Sequence, residues 1–183
     1  VPRGLTPAPR LHDDAIALEP LSRSLAPELA WVLAPDADIR RFTLLPTRPD
    51  GRFLERWLGR YEDGWSDGSC AGFAARAVPG GAVVAFAAFV RLDLERREGE
   101  LGYVVDPGAR GRGIASRAVS LLTRWGFDEL GLERIELRID PANAASSRVA
   151  ERAGYRLDGI LRNRYFKEGR RGDEAVWSRV PTD

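Results

Sequence analysis

Apolar and polar residues alternate over 15–19 (AIALE), which predicts a strand, and Ser24 stands where it can cap a helix running to Leu33. The apolar face of that helix would carry Leu25, Leu29 and Val32. A second helix is predicted over 51–61, where Phe53, Leu54, Trp57, Leu58 and Tyr61 fall at helical spacing, a pattern that suits core or lid packing. From Cys70 onward the period shortens. Three apolar or alternating runs, 71–78, 82–92 and 99–105, are separated by Pro79-Gly80-Gly81 and by a charged segment, 93–98, and this predicts an antiparallel meander. A glycine-rich turn follows, then a helix near 114–130, a strand over 134–139, a short helix near 145–153, and strands near 155–162 and 174–179. No repeat, low-complexity block or linker interrupts this succession, so strands and helices are expected to share one sheet in one domain.

Composition narrows the function more than the fold. The 183 residues are 44% hydrophobic and 30% charged, a balance able to bury a sizeable core and foreign to disordered chains. Twenty-eight basic residues against 27 acidic ones give a net charge of +1, so no global field draws the chain to nucleic acid or membrane, and a small or local partner is expected. One cysteine, Cys70, rules out an internal disulfide framework, and no run is long and apolar enough for a membrane span or signal peptide; a reducing cytoplasm is the expected setting. Residues 1–4 (VPRG) read as a protease-site remnant, leaving 5–183 as the domain.

The informative segment is 101–118, LGYVVDPGARGRGIASRA. A strand ends at Val105, Asp106-Pro107 breaks it, and Arg110, Gly111, Arg112, Gly113, Ile114 and Ala115 lead directly into a helix. The first backbone N–H groups of a helix lack partners and carry the positive end of its dipole, so an anion can bind them. Glycine at 111 and 113 opens backbone conformations closed to other residues and removes side chains that would block a phosphate, while Arg110 and Arg112 can add charge. The Gly-Lys-Ser/Thr ending of a nucleotide-binding P-loop is absent, and a meander precedes the turn in place of a parallel unit.

This segment resembles the signature of the GNAT superfamily of N-acetyltransferases: Arg or Gln, two variable residues, Gly, one variable residue, then Gly or Ala, with Arg110, Gly113 and Ala115 in register. Residues 140–155 resemble the family's second stretch, an Asn (Asn143), a short helix and a Gly-aromatic pair (Gly154-Tyr155). Residues 159–162 and 173–178 are similar to the branch that includes ribosomal-protein alanine N-acetyltransferases, so the likeness extends over most of 15–180. It implies an α+β fold, with a mixed, mostly antiparallel central sheet flanked by helices and splayed between the fourth and fifth strands, 99–105 and 134–139. It also implies acetyl-CoA as acyl donor, with no metal. Backbone groups of Val104 and Val105 would pair with the pantetheine amides, N–H groups from Arg110 to Ala115 would hold the pyrophosphate, and Asn143 would face the same arm or cap the helix that follows it. The acceptor would be a primary amine, on a peptide amino terminus or a small molecule.

Acyl transfer requires the amine to lose a proton, and the resemblance places Glu100 where several GNAT enzymes carry their base. Alternation puts Glu100 on the opposite strand face from Leu101, Tyr103 and Val105, with Glu98 beside it as a substitute; an ordinary strand-edge ion pair is the plain alternative. Many family members protonate the thiolate with a tyrosine four to five residues before the Gly-aromatic pair, but Val149-Ala150-Glu151 holds none. The branch resembled here has a serine three residues after the Asn, which corresponds to Ser146, as the acid or as a capping residue. Cys70 and His12 lack the organised partners that nucleophilic or acid–base work needs. A non-catalytic acyl-CoA-binding module and a transferase using a longer donor such as succinyl-CoA stay open, as does homo-oligomerisation. The acceptor pocket is expected from the amino-terminal helices and from loops over 42–52 and 162–171.

Overall fold

The apolar and alternating runs across 71–105 fold as read. In a computed structural model that describes residues 4–5, 9–34, 36–43, 45 and 51–183, three strands, β3 (Ala71–Ala77), β4 (Val83–Asp93) and β5 (Glu98–Val105), form the meander. The other strands are β1 (Leu11–His12), β2 (Ile16–Pro20), β6 (Arg134–Ile139), β7 (Arg156–Lys167) and β8 (Arg170–Arg179). They make one eight-stranded sheet in the order β1-β2-β3-β4-β5-β6-β8-β7. Every neighbouring pair is antiparallel except β5–β6. The sheet is mixed, and its helices cover both faces, giving the α+β class expected. Counting the two-residue β1 makes the expected fourth and fifth strands β5 and β6.

Two apolar layers sandwich the sheet. On one face α4 (Ile114–Asp128) buries Ala118, Val119, Leu122 and Trp125 against Phe73, Phe89, Leu101 and Ile135. On the other, α1 (Ala26–Val32) and α3 (Gly51–Asp67) bury Leu29, Val32, Leu58 and Tyr61 against Ala74, Phe86, Ala88 and Val104. Each fully buried Val, Leu, Ile or Phe among them contributes about 1.5–3 kcal/mol relative to exposure, so the two stripes hold the helices on the sheet. Among the described residues no helix is long and apolar enough to cross a membrane.

Four local expectations change. Ser24 does not cap α1: a 3₁₀ turn over Arg23–Leu25 precedes the helix, Ser24 Oγ pairs with Ser22 Oγ at 2.7 Å, and no side chain caps Ala26. The second helix runs on past Tyr61 to Asp67 because Gly64, which looks like a break, lets α3 press on the start of β3; a Cβ there would lie 2.2 Å from Cys70 Sγ. A six-residue helix, α2 (Ala37–Phe42), precedes the expected loop over 42–52, and residues 44 and 46–50 of that loop lie outside the described residues. The expected loop over 162–171 is the far end of a β7–β8 hairpin, closed where Lys167 pairs with Arg170 through Glu168 (φ 49°) and Gly169 (φ 78°), a two-residue turn with both central residues left-handed.

Candidate active site

The site begins where β5 and β6 part. Their pairing ends at Leu101 and Leu137; beyond it β5 pairs only with β4, from Gly102 with Ala88 to Val105 with Ala85, and β6 only with β8. Asp106 donates its N–H to Val84 O at 2.9 Å, and the two-residue period then turns the backbone groups of Val104 toward β4 and those of Tyr103 and Val105 toward the gap. The Val105 carbonyl already faces that way, accepting from Arg110 Nε at 3.3 Å.

The turn after β5 prepares a helix start. Asp106 accepts from Gly108 N at 2.7 Å and caps a 3₁₀ turn, Pro107–Ala109, after which Gly111 and Gly113 both take φ of 77°. That left-handed backbone favours glycine at both positions, and a Cβ at either would meet nothing within 4 Å, so backbone angle and not crowding is the constraint. Gly113 is the N-cap of α4 and offers no side chain to the first N–H groups, which stay available to an anion. Ser116 Oγ, in that first turn, is buried without a hydrogen-bond partner.

A cavity of about 490 Å³ occupies the gap. Ile114 belongs to the apolar layer under α4 and Ile39 to the layer on the opposite face, and both line it, so the cavity is lined from both faces of the sheet. Of the residues anticipated for the donor, Val104, Val105, Arg110, Gly111, Gly113, Ile114, Ala115 and Asn143 line it, as does Ser146. Arg112 is exposed and outside the lining.

Helix α2 roofs the cavity with Asp38, Ile39 and Phe42, and Thr43 follows at its end. It is pinned at both ends. At its start Asp36 accepts from Ile39 N at 2.8 Å, and Arg110 Nη1 lies 2.6 Å from Asp36 and 3.1 Å from Asp38. Burial opposes the charge on Asp36, but the Arg110 guanidinium and the Ile39 N–H outweigh it and hold the carboxyl below its usual range. At its end the Thr43 carbonyl accepts from Tyr165 Oη at 3.2 Å and from Lys167 Nζ at 2.6 Å, and Lys167 also donates to Arg40 O. The charge of Arg110, read from sequence as a phosphate ligand, is therefore already answered by two carboxylates.

Across the gap, α5 (Ala144–Arg152) begins at Asn143, whose Oδ1 accepts from Ser146 N at 3.1 Å, so Asn143 both caps the helix and lines the cavity. Ser147 Oγ bonds back to Asn143 O at 3.3 Å. The Ser146 hydroxyl instead meets Tyr103 Oη at 2.8 Å. Burial pushes the Tyr103 phenol up to about 12, the Ser146 bond pulling weakly the other way.

Glu100 lies outside the cavity lining, before the point where the gap opens. Its carboxylate sits 3.6 Å from Arg91 Nε and 3.4 Å from Arg138 Nε, and Arg138 also reaches Glu136 at 3.3 Å and Glu174 at 3.1 Å. Glu98 is two residues further from the gap, paired in register with Asp93 and Arg134. Cys70 is buried under α3, donating to Arg60 O at 3.5 Å, and His12 is exposed on the short edge strand β1. Among the described residues no three His, Cys, Asp or Glu side chains converge as a metal site.

A family model described as an acetyltransferase (GNAT) domain matches residues 16–156. The chain belongs to the GNAT acetyltransferase family. An uncharacterized N-acetyltransferase, p20 of Bacillus licheniformis, is 32% identical over 52% of this chain and 54% of its own length. The spermidine N(1)-acetyltransferase of Escherichia coli K12 is 28% identical over 44% of this chain and 43% of its own. The chain spans about half the length of such curated relatives or less. Among solved structures, a GNAT-family protein of Chromobacterium violaceum superposes with a TM-score of 0.82 at 26% identity, covering 97% of this chain and 90% of that one. The microcin C7 self-immunity acetyltransferase MccE, solved with acetyl-CoA and AMP, superposes with a TM-score of 0.84 at 19% identity over 97% and 98%.

Within this GNAT fold the residues present fit a CoA thioester on the structure's own terms: a gap with unpaired backbone, a helix start with unclaimed N–H groups, and a buried Ser116 hydroxyl without partner. Sequence reasoning missed two contributors. Asp36 carried a capping signal, Asp-x-x-Ile before a polar run, but its pairing with Arg110 spans the fold. Tyr103 was placed on the correct strand face; its neighbour Ser146 is 43 residues on.

Proposed function

We propose that this chain transfers an acetyl group from acetyl-CoA to a primary amine by direct attack. The observation that carries the reading is the cavity lined from both faces of the sheet beside the β5–β6 gap, with free β5 backbone on its wall and the start of α4 at its mouth. Backbone groups of Tyr103 and Val105 would bond the pantetheine amides, and N–H groups from Gly111 to Ala115 would hold the pyrophosphate, where the helix dipole favours negative charge. Asn143 and Ser146 would then border the thioester from α5. The acceptor would approach from the α2 face, the face that also carries Glu100, so base and donor would stand on opposite sides of the reacting carbon.

In this reaction Glu100 takes the ammonium proton, through water because the carboxylate stands back from the lining. The amine nitrogen bonds to the thioester carbon and gives its second proton to water as the adduct collapses, the C–S bond breaks with its electron pair on sulfur, and Ser146 donates a hydrogen bond to that sulfur. The test is calorimetric titration with acetyl-CoA beside thiol release across a panel of peptides and small amines. Saturable binding with amine-dependent release is the expected result. Binding without release would mark a ligand-binding module, and absence of binding at millimolar acetyl-CoA would end the proposal.

A further inference from the structure

The Ser146 hydroxyl departs from the usual behaviour of a serine in a first helical turn. Such a hydroxyl commonly bonds back to a nearby carbonyl, as Ser147 does to Asn143 O. That carbonyl also accepts from Ser147 N at 3.1 Å, and Ser146 Oγ turns the other way, to Tyr103 Oη at 2.8 Å. Tyr103 is the second residue past the last β5–β6 pair, and both residues line the cavity. Either hydroxyl can donate in this pair; because a phenol is far more acidic than an alcohol, the arrangement with the tyrosine as donor and the serine oxygen as acceptor is the stronger bond.

We propose that Tyr103 is a positioning residue of the transfer reaction, donating to Ser146 Oγ and so turning the Ser146 proton into the cavity toward the departing sulfur. The inference rests on the transferase reading above. A serine hydroxyl rotates freely; filling one lone pair from Tyr103 directs its proton away from the tyrosine, and a hydrogen bond received by an oxygen strengthens the one it donates. Burial holds the phenol protonated up to about pH 12, so the donor is present throughout the range in which the enzyme would work. The balance is closed without a proton from Tyr103. The nitrogen gives its second proton to water, the C–S bond breaks with its electron pair on sulfur, and an aliphatic thiol ionises near pH 8.5, so the thiolate can leave as a hydrogen-bonded anion at the amino end of α5. Tyr103 keeps its proton before and after. The motif tyrosine missing from α5 is thus replaced by a phenol from β5 acting through a serine.

The test is a double-mutant cycle of Tyr103→Phe and Ser146→Ala, read as single-turnover rate with saturating acetyl-CoA and amine, beside calorimetric acetyl-CoA affinity. Ser146→Ala should slow the step about 100-fold and Tyr103→Phe about 10-fold, and the double variant should match Ser146→Ala, because Tyr103 has no route to the sulfur once Ser146 is gone. Acetyl-CoA affinity should stay within about twofold throughout, since phenylalanine retains the packing ring. Ser146→Thr, which keeps a hydroxyl, should recover most of the rate. With Cζ-labelled tyrosine, the Tyr103 resonance, identified among four by its loss in Tyr103→Phe, should move in Ser146→Ala. A double variant 10-fold slower than Ser146→Ala, a Tyr103→Phe protein with weakened affinity and full rate, or an unmoved resonance would overturn the inference. An inactive wild type would sink the transferase reading and this inference together; an active wild type matched in rate by Tyr103→Phe sinks the inference alone.

Discussion

Replacing Glu100 with glutamine isolates the base from the fold. The carboxylate is one of three around Arg138, and Glu136 and Glu174 remain at 3.3 and 3.1 Å when it is neutralised. The Glu100 and Arg138 side chains are 23% and 25% exposed, which places the lost pair between a surface bridge of 0–1 kcal/mol and a buried one, at about 1 kcal/mol. A domain stable by about 5–15 kcal/mol stays folded after such a loss. Turnover should fall further. General-base assistance is worth about 10²–10⁴-fold, and Glu100 precedes the lined residue Val104 by four strand positions, roughly 13 Å along β5, so its relay through water belongs at the low end, about 10²-fold. Raising pH should rescue the variant by up to about tenfold per unit below the amine pKa, near 8 for a peptide amino terminus, because the free amine then no longer depends on the relay. The assay is a pH–rate comparison of both proteins on one acceptor, with acetyl-CoA affinity measured separately. Equal turnover at every pH would refute Glu100 as base, and lost acetyl-CoA affinity would assign it to architecture.

Two further outcomes follow from the turn and its latch. Gly113→Val forces a β-branched residue into φ of 77°; acetyl-CoA affinity should fall about 5- to 30-fold, from a backbone cost of about 1–2 kcal/mol, and calorimetry showing wild-type affinity in a folded variant would contradict the assigned turn. Asp36→Asn keeps a capping oxygen but loses the Arg110 pair, about 1 kcal/mol for side chains one-third exposed; because the folded carboxyl titrates below its usual 3.8, that stability is present above pH 3.8 and lost as pH falls through the folded value, so denaturant midpoints of wild type and variant should differ at pH 7 and converge in acid.

How far the sequence reaches depends on where each element gets its order. The three meander strands were bounded to within a residue or so because β3 and β4 are buried on both faces and read as apolar runs while β5 alternates, and β6 was bounded without error because its residues alternate between buried and half-buried. The turn from Arg110 to Ala115 was legible because its glycines answer a local backbone demand. Helix α2 was not legible. Six residues offer one helical repeat, Ile39 with Phe42, and its persistence depends on Arg110, Tyr165 and Lys167, which are remote in sequence. The outer part of β7, past the expected end at 162, was missed because it is largely exposed, with Phe166 at 56%, so no alternation marks it; only the Glu168-Gly169 turn signals a hairpin.

On the proposed transferase reading, this division separates the two halves of the site. The donor half is built from residues contiguous in sequence, a strand end and the helix start that follows it, so a short motif suffices to specify it. The acceptor half is assembled by α2, held from one side by an arginine of the donor turn and from the other by the tip of the β7–β8 hairpin. Arg110 and Asp36 are each about one-third exposed and Asp38 two-thirds, so these pins contribute little individually compared with the apolar layers that fix the sheet. A roof held by weak, sequence-distant contacts can change shape with little effect on the core. Acceptor choice in such a domain can therefore drift while the donor turn and the gap beside β5 stay constant, which is why the motif names the donor and leaves the acceptor open.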